Sequence, residues 1–400
     1  MDHARRGTGR ARARAHAAAD DRGAPAPGGD RGAGGAARVT RAGLERAILT
    51  WIAEGVDAPA DEARFDSLAV ALFRLQFQRG PAYRRLCAAF GADSGVVGGW
   101  RDIPVVPTGA FKEARLAIFP PEATLRVFRT SGSTTEARGA LHLDTLALYD
   151  ASLLATFRAY LCPDVERIRF AVLAPAADGV GDSSLSYMFE RAMRELGTPE
   201  SRFWIGAAGL DLDALSSELA RLREPILLAG TAFAFVHLLD FLESRGARLA
   251  LPAGTRVMET GGFKGRSREL TREELHGAIA SRLGVPRARI VNQYGMCELA
   301  SQFYEASLRT GRMTDVKSVP PWVRTRALDP ATLRDVAPGE PGVLVHYDLA
   351  NTGSVLAVMT SDLGTIVEGG FRVHGRLRGA EARGCSLAAD ALLSETGAAR

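Results

Sequence analysis

Cysteine is scarce in this chain of 400 residues: there are four, at positions 87, 162, 297 and 385, far apart and without a CxxC pair. That excludes a disulfide framework or a zinc knuckle and fits a reducing cytoplasm. No apolar run approaches the length of a membrane span. None follows Arg5 and Arg6, so a secretory or twin-arginine signal is not expected. No repeat of fixed period is present, and the Walker pattern GxxxxGK[ST] is missing. His142, His237, His346 and His374 lack the spacing of a metal-ligand set.

Large apolar side chains are almost missing from residues 1–41, which are rich in Arg, Ala, Gly and Pro. Such a segment buries too little surface to offset chain entropy, and is read as a disordered tail. It holds nine arginines against four aspartates, so of a formal charge of +4 the rest of the chain carries about −1. The basic balance belongs to the tail, and the folded part carries no signal for nucleic acid.

What is present beyond residue 41 alternates between helix and strand. Leu68, Leu72 and Leu75 recur at helical spacing. Leu125–Arg129 and Ala140–Leu143 read as strands, and Asp144 as the N-cap of a helix with the stripe Leu146, Tyr149, Leu153, Phe157 and Tyr160. Strands at Ile168–Ala174, Pro225–Ala229, Arg256–Glu259 and Arg289–Gln293 alternate with helices at Ser184–Leu196, Thr231–Ser244 and Thr271–Leu283, the last with a capping box from Thr271 to Glu274. This rhythm predicts a parallel sheet flanked by helices. After about residue 340 short strands dominate (Val343–Tyr347, Val355–Thr360, Phe371–His374), which predicts a β-rich C-terminal lobe.

Three motifs carry chemistry. Thr130, Ser131, Gly132, Ser133, Thr134 and Thr135 set hydroxyls around one glycine, a turn whose N–H and O–H donors suit a polyphosphate. Tyr294, Gly295 and Glu298 follow the end of a strand, where open α/β sheets bind ligands. There Tyr294 suits stacking on a purine and Glu298 suits Mg²⁺. Asp362, in Thr360-Ser361-Asp362-Leu363-Gly364, suits a pair of ribose hydroxyls. Each motif alone is also an ordinary polar turn. Lys112, set among prolines, suits either a phosphate or open solvent.

Together and in this order, the three resemble the adenylate-forming superfamily of acyl-CoA synthetases and luciferase. The resemblance implies a large α/β domain of helix-flanked sheets plus a C-terminal β-rich lobe. It implies that Thr130–Thr135 hold the phosphates of ATP, Tyr294 and Glu298 hold adenine and Mg²⁺, Asp362 holds ribose, Gly261-Gly262 lie beside adenine and Arg376 marks the hinge. The phosphate loop of that superfamily ends in Lys-Gly, whereas Arg138-Gly139 stands here. Pro104–Pro107 with Phe111-Lys112-Glu113, Asp182–Ser186, Gly230–Phe233 and the end from Gly375 through Arg383, Cys385 and Leu387 are similar to the LuxE-type acyl-protein synthetases, which ligate long-chain fatty acids to protein. That narrower resemblance implies an adenylation domain over 42–375 and a tail over 376–400 carrying Cys385 as acyl acceptor. It also implies a carboxylic acid substrate and a reductase partner. Only 24 residues follow Arg376, whereas a lid is a small domain of about a hundred, so the lid is expected to be absent or minimal. An acyl-CoA ligase of the phenylacetate type and a non-catalytic nucleotide binder are the alternatives. Phe233, Phe235 and Phe263 are candidates to line the acyl pocket.

Overall fold

A computed structural model of the chain describes residues 40–91, 93, 95–130, 137–261 and 270–377. Ser131, Gly132, Ser133, Thr134, Thr135, Gly262, Phe263 and Cys385, the tail through residue 39 and the chain beyond residue 377 lie outside the described residues. Helix Arg41–Ala53 starts with Thr40 as its N-cap, so the last two residues assigned above to the tail belong to the folded part.

The strands, in chain order, are β1 (Val106–Pro107), β2 (Arg126–Arg129), β3 (Ala140–Leu143), β4 (Arg169–Pro175), β5 (Arg202–Gly206), β6 (Gly209–Leu210), β7 (Ile226–Thr231), β8 (Arg256–Thr260), β9 (Ile290–Tyr294), β10 (Phe303–Glu305), β11 (Lys317–Ser318), β12 (Val323–Leu328), β13 (Pro341–Asp348), β14 (Ala357–Val367) and β15 (Gly370–Arg376). Among the described residues all but β2 and β3 join one sheet, ordered β12-β13-β14-β15-β11-β10-β9-β8-β7-β4-β5-β6, with β1 added in parallel to β14. β2 and β3 form a separate hairpin. The pairs from β5 through β4, β7 and β8 to β9 are parallel. Those from β9 to β15, and on to β12, are antiparallel.

Side-chain alternation along these strands builds two cores. Phe170, Val172 and Ala174 of β4 face one side, where helices Ala147–Leu161 and Ser184–Leu196 and the N-terminal helices cover them. Ala171 and Leu173 face the other, under helices Leu212–Arg221, Ala232–Ser244 and Arg272–Leu283. Strands covered on both faces read as continuous apolar runs, which is why Ile226–Ala229 was legible as a parallel strand.

Two details differ from the sequence reading. The C-terminal strands are not a detached lobe, because β10 and β11 carry the hydrogen-bond ladder without a break from β9 to β15. β10 and β11 are two to three residues long, too short to show a period. Asp144 does not cap the following helix, whose N-cap is Leu146. Instead its carboxylate accepts two bonds from the guanidinium of Arg41. Among the described residues no helix is long and apolar enough to cross a membrane.

Candidate functional site

The carboxyl ends of β7, β8 and β9 lie side by side, with Thr231 in register with Thr260, and Thr260 with Gln293. Gly261 follows Thr260 at φ +79°, where a Cβ would strain the backbone but meet no atom within 4 Å. Gly295 follows Tyr294, and a Cβ there would sit 2.5 Å from Nε2 of Gln293, whose amide would have to shift to admit it.

From the end of β9 the Tyr294 hydroxyl donates to Oδ2 of Asp362 on β14 at 2.8 Å. Burial, with the Asp362 charge second, keeps that phenol well above its ordinary range. The Tyr294 ring lies against Phe371, His346 and Phe303, with centroids 5.5, 5.7 and 6.0 Å away. Asp362 faces Arg376 across the β14–β15 ladder, and Oδ1 is 3.5 Å from the exposed Arg376 Nε. The long sequence separation between Tyr294, Asp362 and Arg376 is therefore closed by one hydrogen bond and one rung of the sheet.

Glu298 sits four residues past Tyr294 and is 5% exposed. Burial pushes its carboxyl up to about 7, while the charges of Arg376 and Lys112 pull the other way and Asp362 adds to the rise. The neck of the hydroxyl-rich turn meets this carboxylate directly. A Cβ on Gly139 would lie 3.2 Å from Cγ2 of Thr130, 3.5 Å from Cβ of Phe111 and 3.6 Å from Oε1 of Glu298. Gly139 is thus the point where the β2–β3 hairpin, the short helix Ala110–Glu113 and the Glu298 corner touch.

The neck is closed by Thr130, whose N–H donates to the Gly139 carbonyl at 2.9 Å and whose Oγ1 accepts from the Gly139 N–H at 3.0 Å. Arg138 Nε donates to the Thr130 carbonyl at 2.6 Å, and its two terminal nitrogens donate to Oδ2 and Oδ1 of Asp182 at 2.8 and 3.2 Å. The Arg138 guanidinium, which stands where the superfamily's loop has lysine, thus pairs with Asp182. Lys112, exposed and next to Phe111 in the same short helix, is with Arg376 one of two cations whose charges reach Glu298.

The site therefore joins Thr130, Gly139, Lys112, Glu298, Asp362, Tyr294 and Arg376, with Gly261 and Gly295 at the strand ends beside them. Sequence reasoning missed Asp182 as partner of Arg138. It also missed the stretch Asp348–Ser354, a polar run between two strands that reads as a surface loop but is wholly buried. Phe235 packs in the core under helix Ala232–Ser244 and does not line the site. Phe233 is edge-on to His237 at 4.4 Å.

No described cysteine is poised as a nucleophile. Cys87, Cys162 and Cys297 are buried, which pushes Cys87 up to about 12 and Cys162 to about 11. Cys297 goes higher still, with burial first and the neighbouring Glu298 charge second. His346 is fully buried and held down to about 3, so it is neutral. A cavity of about 550 Å³ lined by Arg169, Glu218 and Pro225 sits at the amino ends of β4 and β7, the opposite edge of the parallel strands.

Among the described residues no group of three or more His, Cys, Asp and Glu could hold a metal ion by itself. A single buried carboxylate, Glu298, beside the Thr130–Gly139 neck nonetheless fits Mg²⁺, which takes one or two carboxylates and completes its shell from phosphates and water.

The LuxE acyl-protein synthetase family matches residues 58–394. The chain is 24% identical over 309 residues to a long-chain-fatty-acid–luciferin-component ligase of Aliivibrio fischeri, covering 76% of this chain and 79% of the relative. It is 23% identical to the protein of the same name from Vibrio harveyi, over 75% and 79%. Among solved structures, an open conformation of 2-hydroxyisobutyryl-CoA ligase in complex with 2-HIB-AMP and CoA superposes with a TM-score of 0.57 at 16% identity, covering 82% of this chain and 78% of that one. This last likeness concerns the fold.

Proposed function

This chain belongs to the LuxE family of acyl-protein synthetases and is an ATP-dependent ligase that activates an acid to its acyl-adenylate, and from that premise we propose how its residues divide the work. The acid is a long-chain fatty acid, as the names of the relatives suggest. ATP lies across the carboxyl ends of β7, β8 and β9. Its phosphates meet the Thr130–Thr135 turn and Lys112, its adenine meets Gly261, Gly262, Tyr294 and Gly295, and its ribose meets Asp362. The observation that carries this reading is the meeting at Gly139 of the turn's neck, the Phe111-Lys112 turn and the Glu298 carboxylate.

The substrate carboxylate attacks the α-phosphorus. A new P–O bond forms, the bond to the bridging oxygen breaks, and pyrophosphate leaves with its charge. Lys112 and Arg376 supply fixed positive charge around that position, and the N–H and O–H donors of the turn add to it. Glu298 would hold Mg²⁺, which when bound supplies charge neutralisation of the phosphates. Arg138 keeps the neck closed through Asp182 and Thr130.

The second step moves the acyl group from AMP to the thiolate of Cys385: the carbonyl carbon gains sulfur and loses the phosphate oxygen. The support is chemical. The other three thiols are buried and held protonated, while Arg383, two residues before Cys385 in the sequence, is a charge of the kind that would favour a thiolate. A reductase that takes up the thioester is the natural partner, and a reducing cytoplasm the natural setting. Radiolabelled fatty acid with ATP is expected to release pyrophosphate and to leave a hydroxylamine-sensitive label on the protein. Cys385→Ser should retain pyrophosphate release and lose the label. A label that survives Cys385→Ser would overturn the thiol assignment. Absence of pyrophosphate release with every acid would overturn the adenylation site.

A further inference from the structure

Chain connections normally run over the surface, because a buried one must find a partner for every backbone polar group. Residues 349–356, between β13 and β14, break that pattern: all are buried, as are the strand ends on both sides. Three side chains that are 0% exposed satisfy them. Gln76, from helix Glu62–Arg79, donates to the Asn351 carbonyl at 2.9 Å and accepts from the Leu356 N–H at 3.0 Å. Asp348 accepts from Ala350 N–H at 3.0 Å, and also from Ala300 N–H, Ser301 N–H and the Ser301 hydroxyl at 2.9, 2.8 and 2.8 Å. The Asn351 amide donates one N–H to the Val355 carbonyl at 2.9 Å and the other to the Glu298 carbonyl at 3.0 Å.

Among the bonds that leave the buried connection, those of the Asn351 amide and of Asp348 land on residues 298–301. Glu298 through Ser301 form no strand and no helix. Their place is fixed by Asn351 at the carbonyl of Glu298 and by Asp348 two and three residues later. Gln76 fixes Asn351 in turn, and Thr352 donates to Glu45 of helix Arg41–Ala53 at 2.9 Å. Among uncharged side chains only an amide NH₂ group offers two donors to two carbonyls.

We propose that Asn351, braced by Asp348 and Gln76, is a positioning residue for acid activation: it holds the main chain of Glu298 so that the carboxylate stands against Gly139 at the neck of the phosphate turn. It acts through Glu298 and touches no substrate. The inference rests on the reading of Glu298 as the carboxylate that carries the divalent cation.

The test is the Mg²⁺ dependence of acid-dependent pyrophosphate release by the full chain, with Asn351→Ala, the milder Asn351→Ser, and Glu298→Gln side by side. Loss of a residue that orients a metal ligand weakens metal affinity about 10–100-fold. Asn351→Ala is therefore expected to raise the Mg²⁺ needed for half-maximal release by about tenfold or more. Asn351→Ser, which keeps one donor, should show a smaller rise, and AMP binding in EDTA should stay within about twofold of the parent, since Tyr294 and Asp362 are held independently. Where the alanine variant does not fold, the serine variant carries the same comparison. If Glu298→Gln raises the Mg²⁺ requirement while a folded Asn351 variant leaves it unchanged, the positioning role is overturned. If Glu298→Gln itself leaves the requirement unchanged, the reading of Glu298 fails, and the inference with it.

Discussion

Glu298 shows how a single residue can be set against the stability of its own fold. Its folded carboxyl titrates near 7 against an ordinary value of 4.5, with burial as the main cause. Below about pH 4.5 both folded and unfolded chains carry the proton, and no difference arises. Between about 4.5 and 7 the unfolded chain ionises while the folded one does not, so folding is increasingly penalised, and above 7 the penalty is complete. Glu298→Gln is therefore expected to raise resistance to urea at pH 8 by roughly 3 kcal/mol, a gain that disappears by pH 4, while acid-dependent pyrophosphate release falls. Urea titrations at the two pH values check it, and an equal gain at both would exclude the charge as the cause. Gly139 is constrained at the same spot from the other side. Gly139→Val would push against Thr130, Phe111 and the Glu298 carboxylate at once, and is expected to lower pyrophosphate release by at least about tenfold, with the far-ultraviolet circular dichroism unchanged.

At the level of elements, the joint between the parallel and antiparallel parts of the sheet is polar. Asn292 of β9 donates to Glu259 of β8 at 2.6 Å, and Glu259 also meets His276 at 3.0 Å. The Asn292 N–H donates to Glu305 of β10 at 3.1 Å, and Lys317 of β11 donates to Glu305 at 2.7 Å. Arg272, at the start of helix Arg272–Leu283, reaches the same carboxylate at 2.6 Å. Burial lowers the Lys317 ammonium and Glu305 holds it up. Short strands such as β10 and β11 have few ladder bonds, so this row of side chains fixes which of them pair. Removing one member of a buried pair leaves the other charge uncompensated, at about 3–5 kcal/mol. Lys317→Met leaves Glu305 with Arg272 as its remaining cation and should lower stability by less than that, about 1–3 kcal/mol, and the double change Lys317→Met with Glu305→Leu should recover part of it. Denaturant unfolding of the two variants decides whether the row is a stabilising unit or an incidental set of contacts.

Across the whole molecule, the N-terminal helices do more than cover one face of the sheet. Arg41 ties its helix to Asp144, ahead of helix Ala147–Leu161, and Glu45 and Gln76 hold the buried connection that in turn holds Glu298. Arg41→Ala leaves a mostly buried Asp144 without its cation, and is expected to lower the urea midpoint by the equivalent of about 2 kcal/mol, read by fluorescence of the four tryptophans. Four of the five parallel strands and three of the helices beside them were legible in the sequence, because apolar period and turn chemistry are local and each strand carries its own record of burial; β5 and helix Leu212–Arg221 were not read. Tyr294, Gly295 and Glu298 could be singled out for the same reason, at or just past the end of a legible strand, whereas Asp362, read as a strand end, lies inside β14. Three things could not be read there. Whether Arg138 faces a phosphate or Asp182 depends on a residue 44 positions away. The continuity of the sheet depends on two strands too short to have a period. Whether the run Asp348–Ser354 lies in water or in the core depends on which helices pack above it. Sequence fixes what each segment can bury; only the packing of distant segments decides which polar groups meet, because a hydrogen bond between residues 68 or 275 positions apart leaves no trace in the neighbours of either.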